Sequence, residues 1–238
     1  VIFPFAAKRG AGTRGWSEMI EFTKPPCLEW HHTLPFAVAR LPADYARSLA
    51  QIALDNEEKI VSLPISKGWE DQAPANPTTA RYKSYNALLL STQCLPLFFA
   101  LRATARVLMG AAGIKPSYSA VQAWCNIHRT GQRLVRHFHE SPMIGSFIAF
   151  GEGGTTRYGR SVGADDQDHV IDNADGQILV TLGGRHYHEV SAWTNEAHPR
   201  VSFAFDFMLF TQLQDKNAYR LGGSAIPLDG PDFGGAAR

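Results

Sequence analysis

The chain has 238 residues, and its 23 basic and 22 acidic side chains leave a formal charge of +1. With 19% charged residues in such balance, nothing electrostatic calls for a nucleic acid or an anionic membrane as the main partner. A 45% hydrophobic share excludes disorder, and 14 Phe, 5 Trp and 7 Tyr beside 21 Gly and 14 Pro suit aromatic-filled sheets with loops better than a helical bundle.

The opening residues 1–7 are apolar but too short for a signal-peptide core and broken by Pro4. The chain begins without Met, so an upstream piece is expected. No run approaches the length of a membrane span, and none is expected. Cys27, Cys94 and Cys125 lie too far apart for a disulfide framework or a CxxC metal site, which suits a reducing, cytoplasmic setting. Residues 1–39 read as an irregular arm with a strand or two near 17–22. After Pro42, Tyr45, Leu49, Ile52 and Ala53 recur at helical spacing, and Asn56-Glu57-Glu58-Lys59 closes a helix over 43–59. Pro64, Gly68, Pro74, Asn76 and Pro77 make 60–82 a long loop, a candidate lid or packing arm. A second helix is predicted over 86–112, interrupted at Pro96 and ended by Gly113.

Beyond Pro116 the texture changes. Segments 118–127, 133–139, 143–150, 177–182, 186–190 and 201–210 are short, rich in β-branched and aromatic residues, and separated by turn formers. Alternation is clean in Val201-Ser202-Phe203-Ala204-Phe205-Asp206-Phe207. The fold class is therefore mainly β with flanking helices: an antiparallel double sheet of jelly-roll type, the double-stranded β-helix that cupins share. Residues 1–117 form an arm and helices packed outside, 118–212 the core, and 213–238 a peripheral tail, all one structural domain.

Residues two apart on a strand share a face, so His137 and His139 project two imidazoles into one space, as do His186 and His188. A lone His-x-His is ordinarily a surface pair. Two of them on strands of one sandwich point to a metal in its pocket, because neutral imidazole is the commonest ligand for iron, zinc and copper.

The stretch Trp124-Cys125-Asn126-Ile127, then Gly131, then His137-Phe138-His139-Glu140-Ser141-Pro142-Met143-Ile144-Gly145 resembles the first metal strand of the iron(II)- and 2-oxoglutarate-dependent oxygenases. It is most similar to bacterial and phage members with an HxH strand. Gln177-Ile178-Leu179-Val180 followed by His188-Glu189-Val190 resembles the second metal strand, and Arg200-Val201-Ser202 the closing strand. From His139 to His188 is 49 residues, and from there to Arg200 is 12. The resemblance covers residues 118–210 and implies iron(II) held by His137, His139 and His188. It also implies 2-oxoglutarate anchored by Arg200 and Ser202, with Asn126 donating to its carboxylate near iron; a strand-edge hydrogen bond is the other reading of Asn126. The chemistry suits these residue types. Iron held through one face leaves positions for a bidentate keto acid and dioxygen, and a guanidinium fork with a hydroxyl beside it holds the far carboxylate.

Most such enzymes carry His-x-Asp or His-x-Glu on the first strand. Here either His139 replaces the carboxylate, or a bulge brings Glu140 inward as the third ligand. The His-x-Gly or His-x-Ala of halogenating relatives does not occur. Gly131 followed by His137-x-His139 also opens a cupin-like metal signature, but Met143 and Ile144 stand where its glutamate belongs. Residues 151–175, glycine-rich and then acidic, read as a loop at the mouth whose Arg157, Tyr158 and Arg160 meet an anionic substrate. Tyr82 and Tyr85 are pocket-lining or packing residues, and His128, His169 and His186 are read as non-ligands. The function expected is a dioxygenase that uses dioxygen to hydroxylate a small molecule or peptide. The alternative is a non-catalytic cupin-like metal protein binding a small acid or sugar, or a three-histidine thiol dioxygenase, for which Arg200 and Ser202 would have no task.

Overall fold

A computed structural model describes residues 20–32, 34–114, 119–160, 163, 168–184, 186–209 and 225–228. Its strands are β1 (Lys24–His31), β2 (Leu34–Arg40), β3 (Ser119–His128), β4 (Leu134–His137), β5 (Met143–Phe150), β6 (Thr155–Gly159), β7 (His169–Asp172), β8 (Gln177–Leu182), β9 (Tyr187–Val190), β10 (Arg200–Leu209) and β11 (Ile226–Pro227). They form a seven-stranded sheet, ordered β1-β2-β8-β5-β10-β3-β11, and a four-stranded sheet, ordered β4-β9-β6-β7. Every pairing is antiparallel. This is the expected jelly roll.

Period-two patterning gives the large sheet two different faces. On β10, Val201, Phe203, Phe205 and Phe207 enter the main core, and on β3 Val121, Ala123, Cys125 and Ile127 do the same. Each Phe so buried contributes about 1.5–3 kcal/mol. The intervening Ser202, Ala204, Asp206 and Met208, with Gln122, Trp124 and Asn126, line a cavity on the opposite face. The outer face is covered by helices. Helix α1 (Ala43–Asp55) buries Ala46, Leu49, Ala50 and Ala53 and lies over β5, while α3 (Leu95–Ala112) buries Leu97, Ala100, Leu101, Ala105 and Leu108 and lies over β1, β2 and β8.

Several expectations are corrected here. The helix predicted over 43–59 breaks at Asn56, whose amide side chain bonds the Ile52 carbonyl at 2.8 Å, and resumes as α2 (Glu57–Val61). Pro96 starts α3 instead of interrupting a longer helix, because a proline in the first turn lacks only an N–H that would have no intrahelical partner. Residues 86–94 form two 3-10 turns, each begun by a side-chain cap from Asn86 or Ser91. Gly113, left-handed at φ 66°, ends the helix as predicted. The segment Thr92–Ala112 is by length and mean composition apolar enough to cross a membrane, although Arg102 and Arg106 interrupt any unbroken apolar run, and its buried side faces the sheet core.

Residues 24–40 are not an irregular arm but a hairpin that extends the main sheet. Of the strand expected near 17–22, residues 17–19 lie outside the described set, and the strand begins at Lys24. The loop expected over 151–175 contains the β6–β7 hairpin. In the tail, β11 pairs with β3 and Leu228 is buried.

Candidate metal centre

His188 sits on β9, an inner strand between β4 and β6, directly across from His137 on β4 and from Tyr158 on β6. His139 follows after β4 has ended, and the three imidazoles converge, with one nitrogen from each lying within 4.8 Å of the others. Hydrogen bonds set two of the rings. His137 Nδ1 donates to the Val135 carbonyl at 2.8 Å, and His139 Nδ1 donates to Asp206 Oδ1 at 2.8 Å. Both Nε2 atoms are therefore bare, yet they face each other at 3.1 Å. Two lone pairs so placed need a proton or a cation between them. Metal–nitrogen bonds of about 2.1 Å at right angles separate two ligands by about 3 Å, so the spacing suits adjacent positions on one ion.

At His137 and His188 the surroundings favour the neutral ring that metal binding requires. Burial pushes His137 down to about 4, helped by the neighbouring His139. His188 is held well below its ordinary value by burial and then by His137, His139, His186 and Arg136. Its Nδ1 is buried without a hydrogen-bond partner. Glu140 is exposed at the mouth of the cavity, so no bulge brings its carboxylate to the histidines.

The same cavity, about 710 Å³, reaches Arg200 and Ser202 on β10. Arg200 is only 1% exposed. Its Nη1 donates to the Ser191 carbonyl at 3.0 Å and its Nη2 to His128 Nδ1 at 2.6 Å, while its Nε has no partner. His128 is pushed down to about 3 by burial and by Arg200, so it is a neutral acceptor there, and its Nε2 bonds Asn76 Oδ1 at 2.9 Å. Burial lowers Arg200 itself to about 10, which leaves it charged at neutral pH. Among the described residues no carboxylate forms an ion pair with it. Glycines make its room: a Cβ on Gly151 would come within 3.3 Å of Arg200 Cγ, and one on Gly154 within 3.4 Å of Nη1. The glycine-rich stretch thus cradles the guanidinium from behind, and Trp193 lies against it at 5.8 Å.

Three buried donors on the cavity wall lack acceptors: Arg200 Nε, Asn173 Nδ2 and Trp124 Nε1. A buried donor without a partner costs about 1–3 kcal/mol. Asn126 also lines the cavity. Its Oδ1 accepts from Thr79 at 2.6 Å, which leaves its Nδ2 hydrogens to offer.

The structure thus gathers His137, His139, His188, Arg200, Ser202 and Asn126 on one cavity; of the expected substrate residues it adds Tyr158 to the lining and places Arg157 and Arg160 elsewhere. Tyr158 is buried beside His188 with its hydroxyl bonded to Ser146, and Arg157, facing the other way on β6, lies 3.7 Å from Glu189 and 3.8 Å from Asp168. Arg160 is exposed, and neither arginine lines the cavity. Strand alternation separates them, since the presumed loop is a hairpin. Tyr82 does line the mouth, with Trp69, Lys83 and Phe138, whereas Tyr85 is a packing residue whose hydroxyl accepts from the Cys125 amide at 2.8 Å. Sequence reasoning missed Asp206, although the alternation that places Ser202 inward carries on to it.

No protein-family model and no curated protein matches the chain. Solved structures do. A Pseudomonas putida prolyl-4-hydroxylase is 16% identical over 79% of this chain and 94% of its own, with a TM-score of 0.50. The non-haem alpha-ketoglutarate-dependent carbocyclase of nogalamycin biosynthesis is 13% identical over 82% and 89%, also at 0.50. A Trichoplax adhaerens prolyl hydroxylase, solved with a hypoxia-inducible-factor peptide fragment, is 11% identical over 80% and 86%, again at 0.50. At such identities the likeness is one of fold. It is the fold that the sequence resemblance implies.

Proposed function

We propose that the chain is a non-haem iron(II) and 2-oxoglutarate-dependent oxygenase that hydroxylates a small molecule or peptide. The observation that carries this is Arg200: a buried charge with no carboxylate paired to it among the described residues, on the wall of the cavity into which three imidazoles converge. Burying an unpaired charge is costly, and a dicarboxylate supplies both the counter-charge and a second end for the metal.

In this reading His137, His139 and His188 hold iron(II), and Arg200 with Ser202 receives the distal carboxylate. Asn126 Nδ2 is a donor for a remaining oxygen. Bound iron supplies the redox chemistry by which dioxygen converts 2-oxoglutarate to succinate and carbon dioxide, the second oxygen atom going into a C–H bond of the substrate. The protein's part is to orient the keto acid and to keep water from the reacting end. The substrate enters past Trp69, Tyr82 and Phe138, an aromatic rim that favours a ligand with an apolar portion.

The test is turnover without the natural substrate. Protein, iron(II) and 2-oxoglutarate in air should form succinate in proportion to protein, and none when the metal is chelated. Iron bound in full with no keto acid consumed returns the cupin-like reading.

A further inference from the structure

We infer that Asp206 completes the metal centre through His139, supplying from behind the imidazole the negative charge that a three-histidine face lacks. This rests on the reading that the histidines bind a metal.

His139 lies beyond the last residue of β4, so no strand ladder holds it. Its ring is held from the other sheet. Asp206 on β10 accepts from Nδ1 at 2.8 Å, and Trp124 on β3 stacks against the ring at 6.1 Å between centroids and 20° between planes. The carboxylate fixes the tautomer with Nε2 bare and makes that nitrogen a better electron donor. The other two histidines have no such support: His137 donates to a neutral carbonyl, and His188 Nδ1 has no partner.

The charges on the wall point the same way. Lining the cavity are the cations Arg200 and Lys83 and the carboxylates Asp206 and Glu140, of which Glu140 is exposed at the mouth. A divalent ion on three neutral imidazoles would keep its full charge with a buried guanidinium on the same cavity. Asp206 is the part-buried anion that offsets it, one imidazole away from the ion, with its side chain 14% exposed.

Asparagine at 206 retains an oxygen that accepts from His139 but removes the charge, so it separates electronic support from orientation. The experiment titrates cobalt(II), as a spectroscopic substitute, into wild type, Asp206→Asn and Asp206→Ala without keto acid. We expect affinity about 10-fold lower in Asp206→Asn and nearer 100-fold lower in Asp206→Ala. The visible cobalt bands should shift in both, and the metal-free Tm of Asp206→Asn should stay at that of wild type. Wild-type affinity and bands in Asp206→Asn would overturn the inference and leave the three-histidine site standing. Wild-type protein that takes up no cobalt(II) would remove the metal reading itself, and this inference with it.

Discussion

His188→Ala should abolish stoichiometric metal binding, with a loss exceeding the roughly 10–100-fold that follows removal of a partner behind a ligand. The imidazole is half-buried on an inner strand of the four-stranded sheet, across from His137, and no other His, Cys, Asp or Glu among the described residues joins the cluster. The metal-free variant should nevertheless fold, because truncation removes an Nδ1 that has no partner. Metal-dependent stabilisation separates the two effects. An ion at about 100 times its Kd raises wild-type stability by about 2.7 kcal/mol, and this increment should vanish in the variant. Glu140→Ala is the control: its carboxylate is exposed at the mouth, so metal content should match wild type. Full occupancy in His188→Ala, or metal lost in Glu140→Ala, would mean that a different set of atoms binds.

Arg200→Ala should lower 2-oxoglutarate affinity by about 2–5 kcal/mol, the cost of stranding one member of a buried charge pair. Metal content should change little, since the guanidinium bonds Ser191 and His128 and none of the three clustered histidines. The substitution also strips His128 Nδ1 and the Ser191 carbonyl of their donor, so the ligand-free variant should be less stable by about 1–3 kcal/mol. Calorimetric titration of the metal-loaded proteins reads affinity independently of that loss. Unchanged keto acid affinity would make Arg200 a purely structural residue and remove the main support for a dicarboxylate co-substrate.

The site was more legible than the scaffold around it. Period-two placement put Arg200 and Ser202 on one face, because such placement depends only on strand geometry; His137 and His139 meet although β4 ends at His137, the ring of His139 being set by Asp206 instead. The hairpin of β1 and β2 was not legible. Pro25, Pro26 and Pro35 argue against strands, and they are tolerated because β1 is an edge strand and Pro35 stands near the start of β2. Nor does β2 alternate, since six of its seven residues are buried. The β6–β7 hairpin was hidden by the glycines before it, of which Gly151 and Gly154 lie close against Arg200. The bond from His128 to Asn76 joins residues 52 apart, and no local pattern announces such a pairing. Asp206 was within reach: it was the one acid in a strand otherwise read for its phenylalanines.

One measurement bears most directly on the claim that a metal and a keto acid share this cavity. Iron(II) protein prepared without oxygen is titrated with 2-oxoglutarate and followed in the visible range. A keto acid chelated to iron(II) gives a weak charge-transfer band. The band should rise to saturation at one equivalent in wild type, fail to appear in His188→Ala, and require far more keto acid in Arg200→Ala. Iron bound by wild-type protein with no band at any keto acid concentration would contradict the account.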